Sequence, residues 1–259
     1  YGETLPMKRI FVLVLLAFAA GPGVAPVLAS DASEASPVVL VTGADRGLGL
    51  EFARQYSEAG WQVIGTARNP DSASDLEATG ARVLQLDVTD AGSVARLAAE
   101  LDGQPIDLLI NNAGVIDRNS KLSELDMDTM EWILDVNVLG PMRVTQALLP
   151  NLSAGDRKTI IGISSGLGSL AQNQSGGLYG YRESKVALNM FTRSLASELR
   201  DDGFIVVAMN PGWVQTDMGG ENAALTPEQS ITGIRSVIEG LTPEDTGTFR
   251  IHNGGENPW

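Results

Sequence analysis

The chain has no cysteine and one histidine among 259 residues, and aromatic side chains make up only 5%. Without thiols there is no disulfide frame, thiol nucleophile or cysteine-bound zinc, and a single imidazole cannot build a histidine-cluster metal site. Basic residues are also scarce: 18 Lys and Arg stand against 32 Asp and Glu, a formal charge of −14. Phosphate-backbone binding needs concentrated Lys and Arg, so this balance argues against a nucleic-acid partner. What is plentiful is apolar material, 43%, and glycine, 29 residues with no collagen-like period. That suffices for one medium core, with glycine serving tight turns and close backbone approaches.

The first stretch reads as an address. Met7-Lys8-Arg9 precedes an apolar run over 10–20, broken by Gly21-Pro22-Gly23, and Val27-Leu28-Ala29 offers a small-residue cleavage point before polar Ser30. A basic start, short apolar centre and small-residue end predict a signal peptide over 1–29, a linker over 30–37 and one domain over 38–259. Cleavage would export the protein to the periplasm or the medium and leave no membrane span. The alternatives are an uncleaved anchor over 10–29 or cytoplasmic residence. Two prolines and two glycines within that stretch disfavour a spanning helix.

The remainder alternates strand and helix. Apolar or β-branched runs predict strands over 38–42, 61–67, 81–87, 107–111, 158–164, 204–210 and 249–251. Helical spacing appears over 50–59, 93–101 and 181–200, and over 127–149 as one long helix or a pair bent near Gly140-Pro141. Regular βα alternation with right-handed crossovers gives an α/β fold, a single-domain Rossmann-type doubly wound parallel sheet.

The first strand runs into Thr42-Gly43-Ala44-Asp45-Arg46-Gly47-Leu48-Gly49. Glycines there admit a pyrophosphate to the backbone, and the following helix N-terminus offers free N–H groups and positive dipole. An NAD site would place a carboxylate at the end of the second strand, but the chain reads Gly65-Thr66-Ala67-Arg68. Arg46 and Arg68 thus favour a 2′-phosphate, and so NADP(H), because guanidinium suits phosphate.

Tyr181-Arg182-Glu183-Ser184-Lys185 sets a phenol and an ammonium on one helical face. With four tyrosines and four lysines, only about 0.06 such pairs are expected by chance. A neighbouring ammonium lowers a phenol's pKa, so Tyr181 is expected to donate or accept a proton near neutrality.

These motifs, with Asn111-Asn112-Ala113-Gly114, Asn137, Ser164-Ser165 and Pro211-Gly212, stand in the order found in short-chain dehydrogenases/reductases. The chain resembles that family over 38–259 and, more narrowly, sniffer-type carbonyl reductases and C-signal-like proteins. The resemblance implies an NADP(H)-dependent oxidoreductase that reduces a small-molecule carbonyl to an alcohol, or the reverse. It implies Tyr181 as general acid, Lys185 on the nicotinamide ribose, a serine on the substrate carbonyl and Asn137 holding a water that links Lys185 to solvent. Gly43, Arg46, Gly47, Leu48, Gly49 and Arg68 would hold the phosphates, with Asp87 and Val88 on the adenine. Asn112, Ala113 and Gly114 would lie along the adenosine, and Pro211, Gly212, Val214 and Thr216 at the nicotinamide end. Substrate choice would fall to 213–227, and the helices at 127–149 and 181–200 would supply the family's usual homo-oligomer interface.

Three alternatives stay open. Ser165 is assigned as the catalytic serine, but strand alternation lets only one of Ser164 and Ser165 face the site. It stands sixteen positions before Tyr181, more than is commonest in the family, and the polar segment 172–177 absorbs the difference. Gly162-Ile163-Ser164-Ser165-Gly166 also fits a hydrolase nucleophile elbow with His252 as base. The third alternative is a nucleotide-binding sensor or signalling protein with little turnover.

Overall fold

Runs such as Val-Val-Leu-Val have no polar side to offer water, and each becomes a strand covered on both faces, as parallel sheets require. The computed structural model describes residues 1–2, 36–118 and 121–259. The predicted leader falls, from residue 3 onward, outside the described residues. The strands are β1 (Val38–Val41), β2 (Gln62–Ala67), β3 (Arg82–Gln85), β4 (Leu108–Asn111), β5 (Thr159–Ile163), β6 (Ile205–Asn210) and β7 (Phe249–Ile251). They form one seven-stranded sheet in the order β3-β2-β1-β4-β5-β6-β7, every neighbour parallel. Winding reverses between β1 and β4, which opens a crevice beyond the carboxyl ends of the strands.

Alternation along the strands divides the core. Leu40, Ile64, Leu109, Ile160 and Val206 pack on one face with Val94, Leu97, Val144, Leu148 and Ala196. These come from α3 (Ala91–Glu100), α5 (Gly140–Ala154) and α6 (Tyr179–Glu198). On the other face Val39, Val41, Ile110, Ile161 and Val207 meet Phe52, Tyr56, Leu76, Ile231 and Ile234. Their helices are α1 (Gly47–Glu58), α2 (Ser74–Glu77) and α7 (Pro227–Glu239). Each large apolar side chain so buried contributes roughly 1.5–3 kcal/mol.

Two elements differ from the sequence reading. The segment 127–149 is α4 (Met127–Leu134) joined to α5 by a π-helical turn, Asp135–Leu139, so the irregularity begins ahead of Gly140-Pro141. Pro141 follows the π turn at the start of α5 and removes one main-chain donor from this otherwise continuous helical stretch. The second is α7, which the sequence reading omits although Ile231, Ile234 and Ile238 recur at helical spacing. Its signal is Thr226-Pro227-Glu228-Gln229, a capping box with proline in the first turn. Among the described residues no helix is long and apolar enough to cross a membrane.

Candidate functional site

A crevice of about 930 Å³ lies along the carboxyl ends of β1, β2, β4, β5 and β6. At one end the glycine turn is shaped by close approach. Gly43 has φ +62°, and a Cβ there would come within 3.0 Å of Ala113 Cα. Asn112 fastens the turn, its amide donating to Thr42 O and Gly43 O, both at 2.9 Å. Arg46, ahead of α1, makes no side-chain cap, so the first N–H groups of α1 keep no side-chain partner at the crevice that Gly47 and Leu48 line. Such a cradle fits the diphosphate of a dinucleotide. Gly49 lies beneath it: a Cβ there would stand 2.1 Å from Gly43 O, so its part is packing rather than lining.

Arg46 and Arg68 both line this end and both are exposed. Arg46 reaches Asp217 across the crevice at 3.5 Å. Asp87 is held below the usual carboxylate range by the Thr89 hydroxyl and N–H, with Arg68 nearby. Buried Val88 lines the crevice beside it.

The other end is desolvated. Tyr181 and Lys185 are 7% and 4% exposed. Ser165 lines the crevice with Tyr181, and its hydroxyl accepts from Leu167 N at 3.1 Å. Lys185 Nζ donates to Ile163 O at 2.8 Å and sits 5.5 Å from the centre of the Tyr181 ring. Of the two adjacent serines, Ser164 is buried and donates to Asn189 Oδ1 at 2.6 Å, while Ser165 is only half-buried at the crevice. Asn137 stands behind the lining in the π turn. Its amide donates to Val115 O at 2.8 Å and Ser184 Oγ at 2.9 Å, and accepts from Val115 N. With both donors committed, a water on its Lys185 side would have to meet an acceptor of Asn137. Ser184 in turn donates to Tyr181 O at 2.8 Å, a link that the motif spacing alone does not announce.

One expectation is corrected. The ammonium does not bring the phenol down: burial, the largest influence, pushes Tyr181 above its ordinary 10, and the neighbouring Ser165 hydroxyl only moderates that. The same burial pulls Lys185 down to about 8. Lys185 spends a donor on a carbonyl and lies over the ring, so desolvation wins.

Pro211 and Gly212 close this end. Ser230 of α7 donates to Pro211 O at 2.7 Å, and Gly212, φ +80°, leaves no room for a Cβ against Leu225 and His252. Val214 and Thr216 line the crevice beyond them. Trp132, Leu167 and Leu178 also line it, unannounced by any local motif. The hydrolase arrangement is absent: His252 packs beneath Gly212, while Ser164 is engaged with Asn189.

A doubly wound sheet with a phosphate cradle at one end of its crevice and buried Tyr181 and Lys185 beside Ser165 at the other defines a dinucleotide-type oxidoreductase architecture. The short chain dehydrogenase family model matches residues 37–225. The chain belongs to that family of oxidoreductases. It is 48% identical to the C-signal of Myxococcus xanthus over 155 residues, covering 60% of this chain and 93% of that one. The carbonyl reductase Sniffer of D. melanogaster superposes with a TM-score of 0.82 at 30% identity, covering 86% of this chain and all of that one. An NADPH-bound carbonyl reductase from chicken fatty liver gives 0.81 at 33% identity, covering 86% and 99%.

Proposed function

We propose that the protein is an NADP(H)-dependent reductase of small carbonyl compounds. The observation that carries this reading is buried Tyr181 beside Lys185, lining with Ser165 one end of a crevice whose far end presents Arg46 and Arg68. The NADPH held by the chicken carbonyl reductase supports the cofactor assignment. When bound, the nicotinamide supplies hydride to the carbonyl carbon.

The chain's own residues do the rest. The α1 N-terminus and the glycine turn receive the diphosphate, and the two guanidinium groups receive a 2′-phosphate. Ser165 donates to the substrate carbonyl oxygen and, with Tyr181, polarises it. Tyr181, kept protonated through neutral pH by its burial, gives its proton to that oxygen. Lys185, largely protonated at pH 7 with its pKa near 8, directs its remaining donors to the ribose hydroxyls. Asn137 fixes Val115 and Ser184, and so holds the start of α6 under Tyr181. The reverse reaction needs the phenolate, so alcohol oxidation is expected to gain only at alkaline pH.

A carbonyl panel assayed with NADPH and NADH side by side tests the reading. It expects steady oxidation of NADPH with an alcohol product. Tight NADPH binding without turnover on any carbonyl would favour the sensor reading instead. Export by the predicted leader belongs to the same proposal, and subcellular fractionation decides it.

A further inference from the structure

Arg182 is 8% exposed, and no carboxylate pairs with it among the described residues. Its guanidinium meets neutral oxygens: Nε donates to Gly177 O at 3.0 Å, Nη2 to Ser175 Oγ at 2.9 Å and Nη1 to Leu167 O at 3.4 Å. Its main-chain N–H donates to Leu178 O at 2.9 Å. One residue therefore ties together the two segments that flank Ser165 and Tyr181. Burying a guanidinium without an anion is costly, and the three acceptors offset that only while both segments keep their places.

The segment it grips is conformationally unusual. Gly176, Gly177 and Leu178 have φ of +61°, +68° and +50°. Glycine enters this region freely, whereas leucine does so against its Cβ. Such a residue persists where its surroundings over-determine it, and residues of this kind gather at ligand clamps. Leu178 and Leu167 line the crevice with Tyr181. The preceding residues, 172–176, are exposed, and they hold the extra length between Ser165 and Tyr181. An exposed loop of this kind does not fix its own end, so Leu178 needs a tether.

We infer that Arg182 is a positioning residue that clamps Leu178 against Leu167, making an apolar wall beside the reacting carbonyl and Leu178 a specificity-determining residue. The substrate it suits is a carbonyl compound with an apolar group next to the carbonyl. This rests on reading the crevice as a carbonyl-reduction site.

Steady-state kinetics on an apolar ketone or aldehyde reduced by the wild type, NADPH titration and hydrogen exchange test it together. Leu178→Ala is expected to raise KM about tenfold while kcat stays within about threefold, with exchange at 175–178 and NADPH affinity unchanged. Arg182→Ala is expected to raise KM similarly and to speed exchange at 175–178, and Arg182→Lys to recover part of both. Should Arg182→Ala fail to fold, Leu178→Ala and Arg182→Lys carry the test. Wild-type KM in Leu178→Ala, or loss of kcat at constant KM, overturns the wall. Tyr181→Phe run alongside separates the two levels. Lost turnover there with wild-type KM in Leu178→Ala overturns the wall alone, whereas unchanged turnover in Tyr181→Phe overturns the reading beneath it.

Discussion

The two ends of the crevice treat charge in opposite ways. At the phosphate end the Arg46 side chain is 70% exposed, and its ion-pair partner, Asp217, is 85% exposed. At the chemical end Lys185 and Tyr181 are almost completely buried, and burial is the first cause of both pKa shifts. Exposed cations select a ligand through screened, salt-sensitive attraction. Desolvated groups hold set protonation states and transfer protons in a low dielectric. The difference teaches that affinity and chemistry are separable here, and substitutions should divide along the same line.

Loss of the phenol aside, the largest effect is expected at the serine pair. Ser165→Ala should lower kcat/KM by about 10²-fold, as loss of a donor to a developing oxyanion does. Ser164→Ala should leave turnover near wild type and cost about 1 kcal/mol of stability through Asn189. Equal kinetic losses for the two would break the assignment, and steady-state kinetics with thermal melts give both numbers.

Next comes the phosphate end. Arg46→Ala combined with Arg68→Ala should weaken NADPH by roughly tenfold to a hundredfold, with NADH shifted by less than about threefold. The gap should narrow in 1 M salt. Titration of cofactor fluorescence measures it, and matching losses for both cofactors would remove the 2′-phosphate from the argument.

The smallest effect is on stability. The folded pKa of Lys185, about 8, lies below its ordinary 10.5, so between those values the unfolded chain binds more protons. Wild-type stability should therefore gain from this group as pH rises from 8 to 10.5. Lys185→Met should abolish that gain and, at pH 7, stabilise the fold by about 1–3 kcal/mol. Denaturant melts across pH check the sign, and a less stable Met variant at pH 7 would contradict it.

Local spacing made much of this visible from the residues. The glycine turn and the Tyr181–Lys185 pair are set by a few neighbouring positions, and the alternation of apolar runs with helices carries the sheet. Other features depend on distant partners. That Ser164 is the serine already engaged depends on Asn189, 25 residues away. The upward shift of Tyr181 comes from burial, which no spacing encodes. Asn137 looks like a helix-bend amide until Val115 and Ser184 close around it. The helix α7 was also legible, since Ile231, Ile234 and Ile238 recur at helical spacing behind the Thr226 capping box, yet the strand–helix reading passed over it.

The most direct test of the central claim is single-turnover reduction of a carbonyl by NADPH in the wild type and in Tyr181→Phe, with NADPH affinity measured on both. A proton handed from the buried phenol predicts equal affinity and a rate about 10³-fold lower in the Phe variant. Equal rates in the two proteins would contradict it.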